Sequence, residues 1–107
     1  MSESFIVTGW RSGAASPSGS GYGVRLRKAD RDGLIRRSWG SVIIDLPYGT
    51  TANANVDGAA FWVDCSELRS AIIGRWMLSS GGAPWPEGSP PTLKLTLVEP
   101  GHFVLSD

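Results

Sequence analysis

The chain reads as an α+β domain built mostly of strands. The expected architecture is a small curled antiparallel sheet, or pseudobarrel, of about six strands packed on one main helix at about 66–80. Three observations predict it. Several short segments alternate apolar and polar residues with period two, and one stretch alone has helical spacing. Fourteen Gly and seven Pro in 107 residues punctuate the chain at short intervals, as closely spaced strands require.

The elements follow in order. Ser4–Trp10 is a short strand, with Phe5 and Val7 on one side and Ile6 and Thr8 on the other. Residues 11–21, RSGAASPSGSG, have no periodicity and little side-chain volume to bury, so a flexible loop is expected. Its glycines invite a phosphate-cradle reading, but no P-loop lysine is present. Tyr22–Lys28 alternates, directing Tyr22, Val24 and Leu26 inward and Arg25 and Arg27 outward. Ala29–Arg37 is a turn or one short helix broken by Gly33. Trp39–Leu46 is a strand closed by Pro47-Tyr48-Gly49, and Thr51–Val56 is a weaker one.

For the main helix, Asp64 and Glu67 have capping-box spacing. Leu68, Ile72, Ile73, Trp76 and Met77 form one apolar stripe, and Gly81-Gly82 ends it. The segment APWPEGSPP that follows holds four prolines, which excludes helix and central strand. Thr92–Glu99 places Leu93, Leu95 and Leu97 on one face, and Pro100-Gly101 turns it into a last strand, His102–Ser106. The length suits a single domain, residues 1–107.

Composition excludes several classes. No apolar run approaches the roughly 20 residues of a membrane span, and the N-terminus lacks a secretory pattern. The single Cys65 cannot form an internal disulfide, and it fits a reducing, cytoplasmic setting with no membrane partner. One Cys and one His fall short of a zinc ligand set, so no metal and no cofactor is expected. A nucleophile–base pair would need His102 beside Cys65. Cys65 reads instead as a small buried residue, and His102 as a solvent-facing one. Asp30 and Asp32, set among cations, read as salt partners or turn caps rather than a magnesium site. No catalytic residue is assigned, and the expectation is a non-catalytic protein.

Net charge is zero but unevenly distributed. Residues 25–37 hold six basic side chains against two acidic ones, while residues 38–107 hold three against seven. Arg25, Arg27, Lys28, Arg31, Arg36 and Arg37, with Arg11, are therefore the candidate phosphate contacts of a nucleic-acid-binding module. Trp10, Tyr22 and Trp85 are candidate stacking or interface residues. DNA and RNA are equally compatible with these residues. The alternative is a protein-interaction module, an adaptor or inhibitor anchored by the rigid Pro84-Trp85-Pro86 turn, because Trp is enriched in interface hot spots. A homodimer through the edge of Thr51–Val56 is a further possibility.

One set of residues carries a resemblance: Trp10, a Gly-rich loop, Gly21-Tyr22-Gly23-Val24-Arg25, Phe61-Trp62, Cys65, Glu67-Leu68-Arg69-Ser70, Ile73-Gly74 with Trp76, and Ala83-Pro84-Trp85-Pro86 with Gly88, Pro90 and Pro91. Together they resemble a family of small bacterial and archaeal proteins of about this length. The resemblance spans nearly the whole chain and implies a prokaryotic protein. That family has no established activity, so no function comes with it. A looser likeness, in strand order alone, is to barrel-type nucleic-acid-binding modules.

Overall fold

A computed structural model describes residues 3–13, 15–63 and 66–106. Among these residues seven strands form one sheet. In chain order they are β1 (Glu3–Arg11), β2 (Tyr22–Arg25), β3 (Ser41–Asp45), β4 (Thr51–Asn55), β5 (Glu67–Arg69), β6 (Thr92–Glu99) and β7 (His102–Ser106). Three α-helices interrupt them among the described residues: α1 (Lys28–Leu34), α2 (Ala59–Val63) and α3 (Ala71–Ser80). The spatial order is β4-β3-β7-β6-β1-β2-β5. All neighbours are antiparallel except β3 and β7, which run parallel.

The alternation read from the sequence sets the inside of this sheet. Phe5 and Val7, Tyr22 and Val24, Val42 and Ile44, Ala52 and Ala54, Leu93 and Leu95, Phe103 and Leu105 are all buried. The sheet curls until its two edge strands, β4 and β5, approach each other, giving a nearly closed barrel. Helix α3 packs across β2 and β4 and presents Ile73, Trp76 and Met77 to the core. The fold is therefore α+β, mostly β and barrel-like.

The main helix is shorter than its apolar spacing predicted. It starts at Ala71, where Ser70 caps it by accepting the Ile72 amide at 3.1 Å on its hydroxyl. The preceding residues form β5, in which Leu68 points inward and is fully buried. Pairing with β2 satisfies the backbone of this segment, through Gly23↔Arg69, Val24↔Leu68 and Arg25↔Glu67. A tertiary partner strand thus overrides a local helical pattern. The expected Asp64 cap and the buried Cys65 lie outside the described residues. At the other end, Gly81 takes the left-handed conformation, φ 88°, and terminates α3 as expected.

The loop between β1 and β2 lies on α3. Its backbone closes on itself through Ser12 N to Gly21 O at 2.8 Å and Ser16 N to Ser20 O at 3.0 Å. Gly19 and Gly74 meet so closely that a Cβ on Gly74 would overlap the Gly19 carbonyl. Glycine in the middle of α3 has a helix-propensity cost, and this contact is its structural return.

Candidate nucleic-acid interface

The outward residues of β1, β2, β5 and β6 come from the positions that alternate with the core. Pairing aligns them in rows: Thr92, Thr8, Arg25 and Glu67 in one, and Trp10, Gly23 and Arg69 in the next. Lys94 stands opposite Ile6 in a third. Arg25, Arg69 and Lys94 are exposed, and Trp10 is half-buried.

Glu67 organises this face. Its side chain is only 1% exposed and is shared by two arginines. Arg25 Nε donates to Oε2 at 3.2 Å, and Arg69 Nη2 to Oε1 at 3.0 Å. A buried carboxylate needs such partners, and two guanidinium groups around it leave a local surplus of one positive charge. Arg69 also lies over the Trp10 ring, 4.5 Å from its centroid, a cation–π contact that holds both planar groups in place.

Beyond the end of β2, Arg27 and Lys28 continue the cationic surface. Arg27 pairs with Asp30 at 3.1 Å in an exposed contact that constrains it little. Lys28 and Lys94 make no ion pair among the described residues. Five cations thus gather here, Arg25, Arg27, Lys28, Arg69 and Lys94, with Glu67 and Asp30 as the carboxylates among them. Arg27, Lys28 and Arg25 border a groove of about 560 Å³ whose floor is Ile6 and Thr8.

The remaining expected contacts go elsewhere. Arg31 turns inward and is 5% exposed. It donates to the Phe61 carbonyl at 2.8 Å, the Ser66 hydroxyl at 3.2 Å and the Asp32 carboxylate at 2.9 Å, and lies over the Trp62 ring. Its donors satisfy polar groups around α2, so it serves the fold and not a phosphate. Arg36 and Arg37 are exposed at the 3-10 turn before β3, where Arg37 donates to the Asp57 carbonyl at 3.1 Å. Tyr22 is buried and meets Trp85 edge-on at 5.8 Å, while Arg11 covers the Trp85 ring at 5.4 Å. Trp85 rests on Tyr22 and Gly9. A second groove of about 1090 Å³ opens beside it, bordered by Trp10, Arg11, Pro17, Trp85 and Glu87.

Glu67, Arg69, Lys94, Ile6 and Thr8 are not among the site residues expected from the sequence. The alternation in Thr92–Glu99 already marked Lys94 as outward. Glu67 and Arg69 were hidden because they were counted into the helix.

His102 lies outside this face. Its Nε2 is 2.6 Å from Asp45 Oδ2, and its Nδ1 is 3.4 Å from Glu99 Oε1. The hydrogen bond to Asp45, then that to Glu99, raises the imidazole pKa above its ordinary value. The same His102 bond holds the Asp45 carboxyl below the usual carboxylate range. Among the described residues no group of three His, Cys, Asp or Glu side chains is arranged to hold a metal ion, and no helix is long and apolar enough to cross a membrane. Compared with protein-family models, curated proteins and solved structures, the chain matches none.

Proposed function

We propose that the protein is a binding module for nucleic acid, working through the outer face of β1, β2, β5 and β6 and the start of α1 in a cytoplasmic setting. The observation that carries this reading is one outer face that holds Arg25, Lys94 and the Arg69–Trp10 stack on adjoining strands, with Arg27 and Lys28 just beyond the end of β2. Cations on a strand face neutralise phosphates, and a planar aromatic or guanidinium surface among them receives bases. The chain is neutral overall because its carboxylates concentrate after residue 37, so the field of this face is local.

The test is a tryptophan-fluorescence titration with short DNA and RNA strands at about 50 mM and about 200 mM salt. The informative variant is the triple change Arg27→Glu, Lys28→Glu, Lys94→Glu, which leaves the partners of buried Glu67 untouched. Affinity should fall with salt and disappear in the variant. No binding at about 100 μM protein and low salt, the weak end of non-specific association, would sink the reading.

A second reading rests on the groove of about 1090 Å³ beside the Pro84-Trp85-Pro86 turn, where Trp85 is half-buried under Arg11. It is a protein-docking site with Trp85 as anchor. Trp85→Ala would abolish partner capture and leave oligonucleotide binding intact.

A further inference from the structure

The pairing of β1 with β2 runs only from Thr8↔Arg25 to Arg11↔Tyr22, whereas β1 pairs with β6 from Glu3 to Thr8. The sheet therefore has a gap on the β2 side of the first half of β1. Gly9 donates its amide to Pro91 on the β6 side at 2.8 Å. Successive residues of a strand point their backbone groups to opposite neighbours, so Ser4 and Ile6 direct their N–H and C=O into the gap. Among the described residues no strand stands opposite them. Leu26 keeps to the β5 side, donating to Ser66 O at 2.8 Å, and the chain then turns into α1, so no β2 residue follows Arg25 along β1.

That gap is the groove of about 560 Å³, bordered by Ile6, Thr8, Arg25, Arg27, Lys28 and Ser66. Ile6 is 51% exposed at its floor. An apolar floor, an open strand edge offering both donors and acceptors, and three cations at the rim form one constellation. Resting on the nucleic-acid reading, we propose that this gap is a nucleobase pocket that selects single strands. One unpaired base enters the gap alongside Ile6 and Thr8, packs against the Ile6 side chain and presents its hydrogen-bonding edge to the Ile6 backbone. Its flanking phosphates meet Arg25, Arg27 and Lys28. The Trp10–Arg69 stack lies two residues beyond Thr8 along β1, roughly 7 Å away by strand rise, where the neighbouring base reaches it.

A base inside a duplex has its pairing edge occupied and both faces stacked, so it cannot enter this gap without being extruded. The pocket therefore discriminates by strandedness, and charge alone does not. An extended acidic peptide has the complementary backbone and charge as well, but it leaves the Trp10–Arg69 stack unused.

The test compares a single-stranded oligonucleotide, its duplex, and a strand with one abasic position, each against the wild type and Ile6→Lys. The substitution fills the gap and adds a positive charge at an exposed site, so folding is retained and checked by circular dichroism. The wild type should bind the single strand about tenfold tighter than the duplex, the order of one stacked base. Ile6→Lys should erase that preference while duplex affinity holds or rises. Equal binding of single strand and duplex, both strengthened by Ile6→Lys, would overturn the pocket and leave the cationic face standing. Binding of neither nucleic acid overturns pocket and face together. Capture of a poly-glutamate peptide alone, lost in Ile6→Lys, would assign the gap to an acidic peptide and also overturn the proposal.

Discussion

Arg69 reaches the indole of Trp10, 4.5 Å from its centroid, across a strand whose intervening residue, Gly23, has no side chain. The contact depends on an absence, and a Cβ at Gly23 would also overlap the Leu68 carbonyl. Gly23→Ala should therefore separate β5 from β2 and cost about 1–3 kcal/mol, in the range of overpacked sites. Urea denaturation measures the loss. A variant as stable as the wild type would mean that β5 does not hold this register.

Glu67 ties Arg25 and Arg69 together from a buried position, while both arginines remain more than half exposed at their side chains. Glu67→Gln should cost about 1–3 kcal/mol, because a charge-assisted acceptor becomes a neutral one at a desolvated site. The arginines can turn to solvent, which keeps the cost below that of a fully buried pair. The same variant should bind oligonucleotide more tightly, since one negative charge leaves the face. Chemical denaturation and a salt-titrated binding curve read the two effects separately.

Arg31 belongs to the fold. Arg31→Lys should lower stability by about 1–3 kcal/mol, because an ammonium cannot serve the Phe61 carbonyl and the Ser66 hydroxyl as the guanidinium fork does and leaves a buried acceptor short of a donor. At a temperature where the variant is folded, its oligonucleotide affinity should match the wild type. Weaker binding by folded Arg31→Lys would return this residue to the interface.

The His102–Asp45 pair makes stability depend on pH with a definite sign. His102 titrates above 6.5 in the folded state, so its contribution is complete below about pH 6.5 and is lost as pH rises through the raised value. Asp45 titrates below 3.8, so its contribution is present above that value and is lost as pH falls through the lowered one. Both are in force between those limits. The stability difference between wild type and His102→Gln should peak inside that window and shrink on either side. A difference that stays constant from about pH 3 to about pH 9 would show that the pair is not linked to folding.

The period-two alternation of Phe5 and Val7, Val42 and Ile44, and Leu93 and Leu95 made the core strands legible, because it is a local property of each segment. The outward positions of Arg25, Arg27 and His102 were equally legible. Glu67-Leu68-Arg69 was not, since three residues followed by a helical stripe fit either period. Its assignment to β5 depends on β2, more than 40 residues earlier in the chain. Arg31 was misplaced for a related reason. A surface-rich cluster of charges gives no sign that the Phe61 carbonyl and the Ser66 hydroxyl lie within reach of one guanidinium.

By itself the sequence determined which residues alternate, where the chain turns, and that one α-helix ends at Gly81. These are matters of backbone propensity and side-chain period, which neighbours along the chain settle. Only the tertiary structure decided which cations share a face, that Glu67 joins two of them, that Gly23 clears the way from Arg69 to Trp10, and that β1 keeps an open edge beside Ile6. Each of these follows from cross-strand register, which brings together residues far apart in sequence.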